Sequence, residues 1–449
     1  MKKLVLIIGL ACIGQLAEAQ KKIIKQANVE RVIRTLAADD MQGRAAGKPG
    51  GLQAAKFLAA EFERIGLEKM PGLTTYEQVF PAYEVQVVAS SVTLNGSAVA
   101  PENVLPVSGL PTLSWTSEDA APPRVIVIGP QDNVRQQMGA LLQPTANTLV
   151  LVDPAHAQRF KQLSGYLSHG GMQGEQPKPF ASVFVLAAAP AAPVKFAATA
   201  TTTIKTVELR NVVGVLPGQA EDKARAAEMV VFSAHYDHIG ILPAVAGDSI
   251  ANGADDDASG TTAVVALAEY FKNNKLEVGK KKKKNQRTLV FVAFTAEEIG
   301  GFGSKYFSQQ IDPQKVVAMF NIEMIGKEAK FGPQTAFITG YERSDFGKLL
   351  QQKLEGTPFR FEPDPYPEQN LFYRSDNATL ARLGVPAHTI SSDQIPTDKL
   401  YHSVDDEVES LNLTNMTAII SAIARSATGI IGGEQTPTRI EPASVGQRP

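Results

Sequence analysis

From about residue 207 onward, short apolar segments alternate with amphipathic ones, and this alternation limits the folds open to the chain. MVVFSAHYD, RTLVFVAFTAEE and VVAMFNIEMIG each have the composition of a buried strand that ends in polar residues, whereas TTAVVALAEYFKN has the spacing of an amphipathic helix. Strands that alternate with helices form a mostly parallel sheet covered on both faces. We therefore predict an α/β fold, with a mostly parallel mixed sheet sandwiched by helices.

The rest of the chain divides into regions of different composition. Residues 1–19 combine a short basic start, an apolar stretch and an A-x-A site, which predicts a secretory signal peptide and a periplasmic or extracellular protein. Residues 20–85 begin with helical spacing and are expected to join residues 206–433 in one discontinuous domain. Residues 86–205 predict a small β-rich inserted domain, and residues 434–449 a disordered tail.

Composition excludes several classes of function. The 449 residues carry a net charge of -2, which gives no indication of nucleic-acid binding. Cys12 lies inside the signal peptide, so we expect the mature chain to lack disulfides and to hold any metal through histidine and carboxylates. No later segment is long and apolar enough to predict a membrane span, and the oligomeric state is left open.

Residues that suit zinc follow the ends of the predicted strands. Ligands of open α/β sheets bind at the carboxyl ends of the strands, and four of the five polar segments occupy such positions. Zinc takes histidine nitrogen and carboxylate oxygen, and two ions a few ångströms apart need about five protein ligands with one bridging carboxylate. The candidates are His235, Asp256, Glu298, Glu323 and His402. Glu297 is placed to remain off the metal as the general base.

These motifs resemble those of the family-28 metallopeptidases, co-catalytic dizinc aminopeptidases related to glutamate carboxypeptidase and glutaminyl cyclase. The shared motifs occur in the family's order: H-x-D, G-A-x-D-x-A-S-G, E-E, N-x-(D/E)-M-x-G and a late Tyr-His. The resemblance covers residues 207–430 and the segment GRAAGKPGGLQAAKFLAAEFERIGL. It implies the zinc exopeptidase fold, which is phosphorylase/hydrolase-like, with an inserted domain similar to a protease-associated domain.

The resemblance also implies a division of the ligands between two zinc ions per chain. Asp256 would bridge the ions, His235 and Glu323 would bind one of them, and Glu298 and His402 would bind the other. The family usually has aspartate where this chain has Glu323. Glutamate is one methylene longer but offers the same carboxylate, so we expect it to bind still, and its effect on metal preference is left open.

Further roles follow from the same resemblance. Glu297 would act as the base, and Tyr401 would stabilise the carbonyl oxygen during attack. Asp237 would fix the imidazole of a ligand from behind, and Asp257 would support the site after a peptide bond that is commonly cis in such enzymes. The segment YRSDNATLARLGVPA supplies two candidate substrate contacts, Arg374 and Asp376. Among the other histidines, His238 is expected to line the site, and His156, His169 and His388 are given no role.

The sequence therefore predicts an exported zinc-dependent exopeptidase, an aminopeptidase that hydrolyses N-terminal residues from peptides through a water activated by two zinc ions. A glutaminyl cyclase would need one zinc, which the five candidate ligands disfavour. A carboxypeptidase for acidic C-termini would need a basic pocket, and no arginine cluster supplies one. A binding protein on an inactive scaffold would have lost ligands or base, whereas all six positions are kept. Side-chain specificity and the role of the inserted domain stay open.

Overall fold

The computed structural model describes residues 23–167, 170–189, 194–278 and 281–446. The expected signal peptide, Cys12 and His169 therefore lie outside the described residues. Within the described ranges, no helix combines the length and the apolar character that a bilayer crossing requires.

The chain forms two compact units. The first contains the residues up to Val79 and from Leu209 onward, and the second contains residues 80–208. The sequence analysis predicts an inserted domain of residues 86–205, and these limits differ from those of the second unit by a few residues. Each boundary lies within a long strand, Glu77–Leu94 or Phe196–Leu216, and no change of composition marks the interior of a strand. The likeness of the second unit to a protease-associated domain stays a prediction.

Helices and strands alternate along the first unit. Its helices are α1 (Gln26–Leu36), α2 (Pro49–Ile65), α3 (Lys223–Ala227), α4 (Gly260–Asn273), α5 (Phe302–Gln309), α6 (Phe346–Lys353), α7 (Asn377–Ala381), α8 (Leu413–Ser426) and α9 (Thr428–Ile431). The strand β1 (Phe196–Leu216) crosses the boundary between the units, and its part from Leu209 onward belongs to the first unit. The other main strands of this unit are β2 (Met229–His235), β3 (Gly240–Val245), β4 (Asp248–Ala251), β5 (Thr288–Phe294), β6 (Val316–Ile322), β7 (Thr335–Ile338), β8 (Arg360–Pro363) and β9 (Ala387–Ser391). Three shorter strands are Glu68–Lys69, Leu276–Val278 and Lys281–Lys283.

The central sheet of this unit has the order β8-β7-β9-β6-β2-β5-β1. The pairs β2·β5, β2·β6, β6·β9 and β7·β8 are parallel, whereas β7·β9 and β1·β5 are antiparallel. The predicted mostly parallel mixed sheet is thus confirmed. The hairpin β3·β4 stands apart from this sheet.

The three central strands form because they are apolar on both faces. Every residue of β6 is buried, and so are all but the first residues of β2 and β5. Phe232 lies opposite Phe291 and Phe320 on its two neighbouring strands, and its ring stacks on theirs at centroid distances of 5.5 and 4.8 Å. Helix α4 buries its apolar side chains in the same cluster, whereas Phe307 of α5 belongs to a second cluster. Apolar side chains fill most of both faces, and the buried polar pair Ser233 and Asn321 lies towards the carboxyl ends of β2 and β6.

The second unit is rich in strands. It contains a four-stranded sheet with the order Val104–Ser108, Ala181–Leu186, Thr148–Val152, Arg124–Ile128. Its other strands include Ser97–Ala98, Thr112–Thr116 and Gly171–Gln173, and its helices are Val134–Leu141 and Ala157–Leu167. Leu149, Leu151 and Phe184 are completely buried in this unit.

The prediction of a disordered tail is wrong for residues 434–446. Ile440 is 1% exposed, and Arg439 donates a hydrogen bond of 2.8 Å to the backbone carbonyl oxygen of Val316. Arg287 donates a hydrogen bond of 2.7 Å to the backbone carbonyl oxygen of Gln435. This segment has few apolar residues, and hydrogen bonds from arginine to backbone carbonyl oxygens leave no hydrophobic periodicity in a sequence. The sequence therefore gives no sign that the segment is ordered. Residues 447–449 lie outside the residues that the structure describes.

Candidate metal centre

Three adjacent strands direct the candidate ligands towards one edge of the sheet. His235 ends β2, Glu297 and Glu298 follow the end of β5, and Glu323 directly follows β6. Because β2 pairs in parallel with both β5 and β6, these carboxyl ends meet at the same edge. Asp256 lies in the loop before α4, and His402 lies in the segment between β9 and α8.

The two oxygens of Asp256 face two different histidines. Oδ1 lies 3.3 Å from Nε2 of His235, and Oδ2 lies 3.3 Å from Nε2 of His402. The same His402 nitrogen lies 3.0 Å from Oε2 of Glu298. Ligand-type atoms of His235, Asp256 and Glu298 all lie within 4.8 Å of one another. A carboxylate shared in this way is the arrangement that a bridging ligand requires.

Buried atoms without partners show that the cluster fits a cation. Among the described residues, neither Nε2 of His235 nor Oε2 of Glu323 makes a hydrogen bond, although both atoms are buried. Buried polar atoms normally find a partner. Imidazole nitrogen together with carboxylate oxygen is a donor set that zinc prefers, so the residues present fit this metal.

The electrostatics of the cluster agree with this conclusion. Burial alone would lower the pKa of His235, but Asp256 and Asp257 raise that pKa well above its ordinary value. Burial opposes ionisation of Asp256, yet His235 and His402 hold its pKa well below the ordinary value. Burial raises the pKa of Glu297 well above its usual range. So many buried acidic groups require compensating positive charge, which divalent cations supply.

The loop that carries Asp256 is fixed by side chains that the sequence did not identify. Arg44 is completely buried and donates hydrogen bonds to the backbone carbonyl oxygens of Tyr236 at 2.7 Å, Gly253 at 2.9 Å and Asn252. Its only sequence signal is the glycine-rich context GRAAGKPGG.

Asp406 and Asp257 hold the same loop from other sides. The carboxylate of Asp406 accepts hydrogen bonds of 3.1 Å from the N–H groups of Asp255 and Asp256. Asp257 follows Asp256 through a cis peptide bond, as the family resemblance implied. One oxygen of Asp257 accepts hydrogen bonds from the N–H groups of Gly260, at 2.9 Å, and Met324, at 3.0 Å. Asp257 therefore ties the metal loop to the end of β6.

Asp237 contacts the site differently from the expectation. Nδ1 of His235 lies 3.1 Å from the backbone carbonyl oxygen of Asp237 and 3.9 Å from its carboxylate. The carboxylate instead accepts a hydrogen bond of 3.1 Å from the N–H of Glu297. The imidazole is thus fixed by the backbone, because the carboxylate turns towards the residue that was assigned as the base.

His238, which we expected to line the site, contacts a candidate ligand. Its Nδ1 lies 2.7 Å from Oε1 of Glu298 and 3.9 Å from Oδ2 of Asp256. The His238 side chain is completely buried. This contact leaves the other oxygen of Glu298 facing His402.

A cavity of about 180 Å³ opens beside these residues. Its lining includes Asp256, Glu297, Glu298, Glu323, Arg374, Tyr401 and His402. The ring of Tyr401 stacks on that of His402, with centroids 3.9 Å apart. Asp376 is 2% exposed and does not line this cavity, contrary to the expectation of a substrate contact. Asp376 immediately precedes α7, where consecutive side chains point in different directions.

The fold resembles that of solved aminopeptidases. The aminopeptidase from Aneurinibacillus sp. strain AM-1 is 17% identical, with a TM-score of 0.54 over 95% of this chain and 97% of that chain. BSAP, a zinc aminopeptidase from Bacillus subtilis, is 14% identical, with a TM-score of 0.55 over 92% of this chain and 97% of that chain. At these identities the likeness establishes the fold alone.

Residues 211–427 match the model of Peptidase family M28. The segment that matches contains all six candidate ligand and base positions. Leucine aminopeptidase 1 of Metarhizium robertsii is 28% identical over 216 residues, or 46% of this chain and 51% of that protein. Leucine aminopeptidase 1 of Ajellomyces capsulatus is 30% identical over 217 residues, or 46% and 52%. The chain spans about half the length of the curated relatives it matches.

Proposed function

We propose that this chain is an exported zinc-dependent aminopeptidase that removes N-terminal residues from peptides. The observation that carries this proposal is the position of Asp256, whose two carboxylate oxygens each lie 3.3 Å from a different histidine. Glu297 lines the same cavity. The aminopeptidases among its relatives and structural neighbours support the proposal.

Two zinc ions per chain are part of the proposal. His235 and Glu323 would hold one ion, Glu298 and His402 the other, and Asp256 would bridge them. Zinc bound there would lower the pKa of a coordinated water towards neutrality and polarise the substrate carbonyl.

The side chains of the protein would carry out the proton transfers. Glu297 would accept a proton from the attacking water and deliver it to the leaving amine, since burial raises the pKa of its carboxyl group. The hydrogen bond from the Glu297 N–H to Asp237 fixes the backbone of this base. The Tyr401 hydroxyl would donate a hydrogen bond to the developing oxyanion. Stacking on His402 fixes the Tyr401 ring beside the ligands.

The test is a substrate comparison on protein of known zinc content. Leucine p-nitroanilide carries a free α-amine, whereas its N-acetyl derivative does not. We expect two zinc ions per chain, cleavage of the free-amine substrate only, loss of activity with a chelator and recovery with zinc.

Other outcomes would overturn the proposal in distinguishable ways. Cyclisation of N-terminal glutamine peptides with one zinc per chain would indicate a cyclase. Release of C-terminal residues would indicate a carboxypeptidase. A protein that binds zinc and cleaves no peptide or aminoacyl anilide would be a binding protein.

Export is tested separately from activity. We propose that residues 1–19 are removed, so that the mature protein begins at Gln20. N-terminal sequencing of protein recovered from the periplasm or the culture medium would show that end. Recovery from the cytoplasm with Met1 intact would contradict it.

A further inference from the structure

A carboxylate with no role at the metal centre lies in the wall of the same cavity. Asp393 follows β9 by two residues, lines the cavity and is 1% exposed. Among the described residues, neither of its carboxylate oxygens accepts a hydrogen bond from a donor group. A buried acidic group that lacks a donor and faces a cavity is a candidate to receive one from a ligand.

The neighbours of Asp393 disfavour a negative charge on its carboxyl group. Oxygens of Asp255, Asp393 and Asp398 lie within 4.8 Å of one another. The ammonium of Lys327 lies 2.6 Å from Asp398 and 3.4 Å from Asp255. Lys327 thus faces three carboxylates, and its close contacts are with Asp398 and Asp255 rather than with Asp393. The position between Asp255 and Asp398 is already taken by Lys327, which disfavours a metal ion there.

Burial and the neighbouring carboxylates, Asp255 foremost among them, raise the pKa of Asp393 to about 9. The resting protein therefore keeps a proton on Asp393 at neutral pH. A cationic group that enters the cavity can replace this proton and form a charge-assisted hydrogen bond, which is stronger than a neutral one.

The cavity wall near Asp393 suits a long side chain with a charged end. Phe337, Met324 and Ile395 are apolar and line the same cavity. Lysine and arginine side chains place their methylene groups along apolar surfaces and direct the charged end to a polar partner. An apolar wall with one buried carboxylate provides both parts of that recognition.

Arg374, which also lines the cavity, has different neighbours from Asp393. Burial raises the pKa of Tyr401, and Arg374 opposes this shift, so Arg374 lies near the residue that we assign to the oxyanion. Asp393 lies near Asp255 and Asp398 instead.

We propose that Asp393 is a specificity-determining residue that directs the enzyme towards peptides whose N-terminal residue is arginine or lysine. This inference rests on the aminopeptidase function proposed above, which places the N-terminal side chain of the substrate in this cavity.

The kinetic test compares arginine and citrulline p-nitroanilides, which have nearly the same shape but differ in charge. For zinc-loaded wild-type protein we expect kcat/KM to be higher for arginine by roughly 10- to 100-fold, the range for a hydrogen bond to a charged group. Asp393→Asn should reduce this ratio to near one. The control Asp405→Asn removes an exposed carboxylate and should keep the wild-type ratio.

A binding measurement separates this inference from the proposed function. Calorimetry with free L-arginine and L-citrulline on zinc-loaded protein should show tighter arginine binding, which Asp393→Asn abolishes. Asp393→Ser provides a second variant in case the asparagine variant does not fold, with norleucine p-nitroanilide cleavage as the check on the active site.

The outcomes distinguish the two claims. Cleavage of leucine or norleucine anilides with no preference for arginine over citrulline would overturn the role of Asp393 and leave the aminopeptidase intact. Arginine binding that depends on Asp393, without cleavage of any anilide, would support the pocket and overturn the function. Equal binding of the two amino acids, or no saturable binding of arginine, would overturn the inference.

Discussion

The guanidinium of Arg44 donates a hydrogen bond of 2.9 Å to the backbone carbonyl oxygen of Gly253, three residues before Asp256. A residue from the N-terminal segment thus fixes the loop that carries the central carboxylate of the candidate metal centre. Arg44 also bonds the carbonyl of Tyr236, directly after His235. One buried side chain therefore positions two candidate ligands through the backbone.

Replacement of Arg44 by methionine tests this role. It would leave several buried carbonyl oxygens without donors, and we expect it to lower the free energy of unfolding by about 3 kcal/mol or more. Zinc affinity should fall as well. Urea denaturation and zinc titration measure these effects. The control is Arg31→Met, since Arg31 is half-exposed, pairs with Glu61 and should contribute about 1 kcal/mol or less. Equal effects of the two substitutions would contradict the role of Arg44.

Glu323 tests the number of metal ions. If Glu323 is a ligand, Glu323→Gln removes a charged donor, and we expect one zinc per chain instead of two at the same free zinc concentration. Glu323→Asp keeps the charge but shortens the reach from the end of β6, so we expect an intermediate affinity. Titration with a competing chelator measures both variants. Unchanged stoichiometry and affinity in Glu323→Gln would show that Glu323 is not a ligand.

His388 makes stability depend on pH. This residue is completely buried, with Nε2 2.7 Å from the Ser344 hydroxyl oxygen and Nδ1 2.9 Å from the Thr339 carbonyl oxygen. Burial lowers its pKa from 6.5 to about 4. Between these values the unfolded chain binds more protons than the folded protein. The contribution of neutral His388 to stability is therefore complete above about pH 6.5 and is lost as the pH falls towards 4.

The corresponding variant is His388→Gln, which cannot titrate in this range. The stability advantage of the wild type over this variant should shrink by up to about 3 kcal/mol between pH 7 and pH 4. Urea denaturation at several pH values measures the difference. His156→Gln, in the second unit, serves as the control. Parallel curves for wild type and His388→Gln would contradict the prediction.

The sequence predicted the parts of the site that carry their own pattern. The strands β2, β5 and β6 are mostly apolar segments. Histidine ends β2, and glutamate follows β5 and β6 within a few residues, so the sequence predicts both the sheet and the edge at which these residues meet. The fold class is confirmed, and Asp256, His235 and His402 do lie together.

The parts that the sequence did not reveal depend on backbone partners. Arg44 donates hydrogen bonds to backbone carbonyl oxygens, and Asp406 accepts hydrogen bonds from backbone N–H groups. These backbone groups do not depend on residue type, so they leave no pattern in the sequence. Asp237 was assigned to the imidazole, yet its carboxylate turned to the Glu297 N–H, a choice that only the backbone path determines. Asp393 lies in a polar segment between β9 and His402, where no periodicity distinguishes a buried acid from an exposed one.

Glu297→Gln tests whether Glu297 is the base of a zinc hydrolase. The variant keeps the shape of the side chain but cannot accept the proton, so turnover should fall by roughly a thousandfold or more. Zinc content should stay at two ions per chain. Glu409→Gln, which changes an exposed glutamate, should retain both zinc and activity. Turnover of Glu297→Gln within tenfold of wild type, at full zinc content, would show that Glu297 is not the base.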